Sequence, residues 1–174
     1  MSPTFRWRPC ASALLLILLV SLLAGCYPKY NWREMPVADG LAVVAFPARV
    51  DTAEREIELA GMKVNFVMTS ATVDQTVFSF GYAQLPLEST PEERVQAQQA
   101  MIKSLESGMS QSVGEQALAG ETFVLRRQAG DTELVMHAKV VLYHDVVMQQ
   151  IVAGPPEELS QELADEFMRS LAMR

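Results

Sequence analysis

Apolar and polar positions alternate with period two over most of this chain and switch to helical spacing only twice, which predicts a sheet-rich domain carrying two helices. Leu41 to Phe46 is a short apolar run that Pro47 ends, because proline has no amide hydrogen to give to a ladder. Around Ala60-Gly61 two alternating segments meet. Ile57 and Leu59 alternate with Glu56 and Glu58 before the glycine, and Met62, Val64, Phe66 and Met68 alternate with Lys63, Asn65, Val67 and Thr69 after it, which predicts a hairpin. Gln75 to Gln84 reads as the next strand, with Phe78, Phe80 and Tyr82 on one face and Val77, Ser79 and Gly81 on the other. Three strands follow later, Glu121 to Arg127, Thr132 to Tyr143 and Val146 to Val152, joined by turns at 128–131 and 144–145. The middle one carries Leu134, Met136, Ala138, Val140 and Leu142 on one face and His137, Lys139, Val141 and Tyr143 among the residues of the other.

The first helix is announced by Thr90-Pro91-Glu92-Glu93: Thr90 can cap the free amides, Pro91 suits the first helical position, and Glu93 completes a capping box. Val95, Ile102, Leu105, Met109 and Val113 form its predicted buried stripe, and Gly108 and Gly114 mark its weakening end. Pro155-Pro156-Glu157-Glu158 opens the last helix, with Leu159, Leu163, Phe167 and Leu171 at i, i+4 spacing. Strands in runs joined by short turns require antiparallel pairing. The expected fold is therefore α+β, a mainly antiparallel sheet of about six to seven strands with two helices packed on it.

Ahead of this pattern lies a stretch of different character. Arg6 and Arg8 precede any acidic residue, and the apolar run from Ala11 to Ala24 is about 14 residues long where a spanning helix needs ~20. It reads as a secretory signal core. Leu23-Ala24-Gly25-Cys26 then resembles the lipobox of bacterial lipoproteins. That resemblance implies cleavage before Cys26, a diacylglycerol on its thiol and an acyl chain on its amine. It also implies an outer-membrane destination, periplasmic face, because Tyr27 stands where inner-membrane lipoproteins carry Asp. The expected organisation is a signal peptide over 1–25, a tether over 26–40 and a single α+β domain over 41–174. Within the tether, Tyr30 and Trp32 beside Lys29 and Arg33 suit either a solvated linker or the headgroup zone.

Charge narrows the partners. Of 14 basic residues Arg6 and Arg8 belong to the leader, whereas all 21 acidic residues follow it. Nucleic acid binding depends on clustered Lys and Arg and is not expected; direct docking to anionic headgroups is disfavoured for the same reason, so the membrane partner is engaged through the acyl chains. Cys10 lies in the leader and Cys26 is the only other cysteine, which leaves no thiol for catalysis and no intramolecular disulfide.

The order of elements supplies a second resemblance. The Phe46-Pro47 strand end, the hairpin, the strand 75–84, the Thr90-Pro91 helix, the meander with Lys139 to Tyr143 before a tight turn, and a closing helix bearing Phe167 and Ser170 together resemble the PsbP/Mog-type α/β sandwich. Members of that group mostly stabilise a membrane complex or bind a protein, so the resemblance implies an accessory module and no enzyme.

The residues themselves offer little chemistry. No nucleophile elbow, phosphate-binding glycine loop, His-Glu-x-x-His or Cys-x-x-Cys occurs, and no cofactor is expected. His137 and His144 are the only imidazoles; a metal site would join them to Asp145 and Glu133, although isolated histidines on a strand and at a turn are more often hydrogen-bonded surface groups. The methionines, ten in all, fall singly, with Met62, Met68, Met136 and Met148 on apolar strand faces and Met101, Met109 and Met168 on helices, and read as packing rather than as copper ligands. Glu157, Glu158, Glu162, Asp165 and Glu166 read as an exposed helix face. Two functions follow as expectations. The first is a lipid-anchored, non-catalytic module that binds an envelope protein through a face bearing His137, Lys139, Val141 and Tyr143. The alternative is a carrier holding a small apolar ligand between sheet and helix near Phe78, Phe80, Tyr82 and Met109. A cell-wall hydrolase is the weakest reading, since no positioned base or nucleophile stands out.

Overall fold

The computed structural model describes residues 29–174, so Cys26 and the expected signal peptide over 1–25 lie outside the described residues. The fold is α+β, with two antiparallel sheets and two α-helices among these residues. The larger sheet has strand order β3-β4-β5-β8-β7-β6, built from β3 (Asp51–Leu59), β4 (Met62–Val73), β5 (Thr76–Gln84), β6 (Phe123–Ala129), β7 (Thr132–Tyr143) and β8 (Val146–Gly154). The smaller, ordered β1-β2-β9, joins β1 (Arg33–Val37), β2 (Ala42–Phe46) and β9 (Ala172–Met173). The helices are α1 (Pro91–Met109) and α2 (Gln161–Arg169).

Each expected strand is present, and the hairpin turns where its sequence requires. Ala60 and Gly61 take φ of 52° and 80°, the pair of positive values that lets a two-residue turn follow the twist of its strands. Two boundaries differ from expectation. Residues 33–37, expected in the tether, form β1, which pairs with β2 from Arg33↔Phe46 to Val37↔Ala42. Trp32 packs edge-on against Phe78, 5.9 Å between centroids, so Tyr30 and Trp32 pack half-buried against the core rather than along a solvated linker. The last helix begins at Ser160 rather than at Pro155-Pro156. The Ser160 hydroxyl accepts from the Leu163 amide at 3.2 Å, whereas the Glu158 and Leu159 amides return to the Pro155 carbonyl in a turn.

The large sheet is covered on both faces, which makes two cores. Phe78, Phe80, Val146, Met148 and Val152 face the small sheet and α2, where Phe167 stacks edge-on with Phe78 at 5.3 Å and tilts against Phe46 at 5.9 Å. Leu59, Val64, Phe66, Ala83, Phe123, Leu125, Ala138, Val140 and Val147 face α1. The buried stripe of α1 is Ala97, Gln98, Met101, Ile102 and Met109, one notch round from the expected stripe, which leaves Val95 41% exposed. Gln98 explains the shift. Its amide donates to the carbonyls of Leu118 and Val140, both at 3.2 Å, so a polar residue is satisfied in the interface and turns Val95 outward. The helix starts where its capping box predicts, with reciprocal Thr90 and Glu93 bonds of 3.2 and 2.8 Å.

One glycine of the central sheet is held by contact rather than by φ. A Cβ on Gly81 would lie inside van der Waals distance of the Phe66 ring, which rests on the bare backbone there. Gly81→Ala is expected to destabilise by ~1–3 kcal/mol through overpacking, and Phe66→Leu in the same chain to recover part of the loss. Denaturant titration of the two single variants and the double variant measures this; strictly additive losses would exclude the contact as the cause.

Candidate functional site

The two ends of the large sheet differ in what they hold. At one end lie the β4–β5 and β6–β7 turns and the segment after β8; at the other lie the β3–β4 and β7–β8 turns and the loop leaving β5. The described chain enters at the first end. Lys29, three residues after Cys26, bridges Asp74 at 2.7 Å and Glu158 at 3.3 Å, so one ammonium ties the entering chain to both the β4–β5 turn and the segment before α2. Its hydrogen bond to Asp74, opposed by some desolvation and aided by Glu158, holds its proton more tightly than an ordinary lysine does.

The opposite end carries an apolar side chain held out in solvent. Leu87 is 82% exposed, in the loop between β5 and α1. That loop is clipped from beneath by Arg94 of α1, whose guanidinium donates to the carbonyls of Ser89 at 3.1 Å, His144 at 3.4 Å and Leu87 at 3.5 Å. Gln84 donates to the Asp145 carboxylate at 2.7 Å, and the Leu85 amide to the Asp145 carbonyl at 2.8 Å, which joins the loop to the β7–β8 turn. Leu85 and Ser89 are buried on either side of Leu87. A residue so placed has its backbone ordered before any partner arrives, which lowers the entropic cost of binding through it.

The expected interaction face is less open than its sequence suggests. His137, Lys139, Val141 and Tyr143 do share one face of β7, but it is the face on which α2 lies. His137 is 4% exposed, and Lys139, Val141 and Tyr143 are half-buried. Tyr143 also donates to the backbone carbonyl of Arg174 at 3.4 Å, so the C-terminus uses part of the face. His137 is thus a core residue rather than a surface group. His144 is separated from it at the exposed β7–β8 turn, so the proposed grouping with Asp145 and Glu133 does not assemble; no group of three or more His, Cys, Asp or Glu side chains among the described residues is placed to hold a metal. The carrier residues are likewise divided, with Phe78, Phe80 and Tyr82 on the α2 side of the sheet and Met109 on the α1 side.

Burial lowers the proton affinity of His137 below the usual 6.5; the carboxylate of Asp165 opposes this and Arg126 reinforces it. The unfolded chain therefore binds the proton first. Stability from the neutral imidazole is fully present above ~6.5 and is lost as pH falls through that value toward the lower folded-state pKa. His137→Gln is expected to flatten the fall in stability on acidification from pH 7 to 5, read from denaturant midpoints across that range. An unchanged slope would assign the dependence to other groups.

In comparisons with known proteins, no family model, curated protein or solved structure matches the chain. Among the described residues no helix is long and apolar enough to cross a membrane. Leu87 and Arg94 were the residues that sequence patterning passed over. The available signal was a leucine after Pro86, outside both the strand period and the helix stripe, directly before a capping box.

Proposed function

We propose that this protein is a lipoprotein anchored through acyl chains on Cys26 to the periplasmic face of the outer membrane, acting as a non-catalytic module that binds an envelope protein. The supporting observation is the polarity of the domain. Lys29 fastens the anchor-proximal chain to one end of the large sheet, while the Arg94-clipped loop presents Leu87 at the other, roughly 30 Å away along the nine residues of β5. A tether so short and so fastened holds the Leu87 end away from the bilayer. An ordered, exposed leucine at that end is the kind of apolar anchor that seats in a partner's pocket. The likeness of element order to PsbP/Mog-type sandwiches belongs to the same reading, though a fold by itself transfers no function.

The test is site-specific photocrosslinking in membranes of a Gram-negative host, with the crosslinker at position 87 and, as control, at Val77, which is also exposed but sits beside the anchor-proximal end. A discrete envelope-protein adduct from position 87 and none from position 77 is the expected result. No adduct at 87, or the same adducts at both positions, sinks the distal-end reading.

A further inference from the structure

We infer that the face of the sheet under α1 holds a binding site for a small apolar acid that carries one hydrogen-bond donor, such as an N-acylated amino acid. A groove of about 290 Å³ opens between α1 and the strands β3 and β4, lined by Arg55, Glu58, Phe66, Met101, Leu105 and Gln149 among others, with Glu58 its one carboxylate. This site shares no residue with Leu87 or with the anchor, and it does not depend on either being correct.

Three features give the groove its chemistry. The first is a buried acceptor. Gln149 sits in the middle of β8, between Gly81 and Val140, and is 7% exposed; its Oε1 is buried with no hydrogen-bond partner among the described residues. Native interiors rarely leave such an atom unpaired. Gln150 also leaves its Oε1 unpaired, but its amide donates to Phe167 at 2.7 Å and it faces the core under α2, whereas Gln149 makes no side-chain hydrogen bond among the described residues and lines the groove. The second is the apolar floor. Because Gly81 has no side chain, the Phe66 ring packs down over the sheet at that point and is almost fully buried, and the apolar surface left open in the groove belongs to the half-buried Ile57, Ala100 and Leu105. The third is an unspent cation. Arg55 lies on β3 with its guanidinium 5.9 Å from the Phe66 ring centroid, and it takes part in none of the salt bridges among the described residues.

These features dictate the ligand. An aromatic or aliphatic body packs against Ile57, Ala100 and Leu105, an N–H or O–H reaches Gln149 Oε1, and a carboxylate at the open side meets Arg55, whose fork suits a carboxylate better than a point charge does. The groove lies at the small end of the range for ligand sites, which fits a body of about one ring.

The experiment uses the full chain, labelled with ¹³C-methyl methionine and held in nanodiscs, and three probes. N-acetylphenylalanine has both the carboxylate and the N–H; its methyl ester lacks the charge; 3-phenylpropanoate lacks the donor. N-acetylphenylalanine is expected to shift the Met101 methyl resonance saturably while Met148, on the opposite face of the sheet, stays in place. Loss of either polar contact weakens binding about fivefold or more. Arg55→Gln is expected to bind the acid no better than the native chain binds the ester, and Gln149→Leu to erase the advantage of the acid over 3-phenylpropanoate. Equal shifts from acid and ester, shifts of Met148 matching those of Met101, or no shift of Met101 with any probe would overturn the proposal. The probe series on the native chain decides it even where a variant fails to fold.

Discussion

Phe167→Ala is expected to lower stability by about 3–5 kcal/mol, a large part of the ~5–15 kcal/mol that holds an ordinary domain together. The argument begins with spacing. Leu163, Ala164, Phe167 and Met168 make the buried stripe of α2, a helix of nine residues that is too short to persist in water by propensity alone. Its place on the sheet therefore rests on that stripe, and Phe167 is the central member. The ring is fully buried and meets Phe78 of the large sheet and Phe46 of the small one, so it is the side chain that joins the two sheets through the helix. Truncation leaves a cavity bounded by two rigid strands that have little freedom to collapse into it.

The backbone around Phe167 holds independently of the ring. Its carbonyl accepts from Gln150 and from the Ser170 hydroxyl, both at 2.7 Å, and the same hydroxyl accepts from the Ala45 amide at 3.2 Å. These bonds connect β8, α2 and β2 and survive the truncation. The loss is accordingly expected as a lower denaturant midpoint with an unchanged slope, and Phe167→Leu is expected to cost far less than Phe167→Ala. A loss below ~1 kcal/mol would mean that α2 contributes little to the docking of the two sheets.

Much of this arrangement is legible in the sequence because it depends on local periodicity. The alternation over Thr132 to Tyr143 marks both ends of β7, and Thr90-Pro91-Glu92-Glu93 marks the start of α1 to the residue, since both signals are complete within a few positions. What failed was long-range in origin. Arg33–Val37 has no alternation of its own; it is a strand because β2, a covered apolar run, offers it a free edge. The stripe of α1 departs from its spacing because Gln98 is polar and yet buried, its amide donating to carbonyls of Leu118 and Val140 that lie 20 and 42 residues away. Nothing in the spacing of His137 announces the helix that covers it, and the same holds for Gln149, whose importance lies in a missing partner. Pattern reading assigns a face to a residue, but which faces are covered depends on where distant elements land.

Cys26→Ser is expected to remove the protein from the outer membrane, the largest functional change that a single substitution in this chain can make on the reading proposed above. The apolar run before Cys26 is about 14 residues, short of a stable span, and the chain after it has 12 basic against 21 acidic residues, so electrostatic attraction to anionic lipid offers no substitute for acylation. Each buried methylene contributes ~0.8 kcal/mol, and two or three acyl chains hold a protein stably where one chain binds reversibly. Removing the thiol removes the first acyl transfer and, with it, the processing that exposes the amine. The expected outcome is a chain that no longer carries acyl mass at position 26 and no longer sediments with outer membranes as the acylated protein does, measured by fractionation and intact mass of native and Cys26→Ser chains. The folded domain provides the internal control: Lys29 still bridges Asp74 and Glu158 in the variant, so its denaturant midpoint is expected to stay in place while its location changes. An unchanged distribution with no acyl mass on the native chain would leave the Leu87 end without the fixed orientation that makes it the distal one, and the crosslinking experiment would lose its geometric premise.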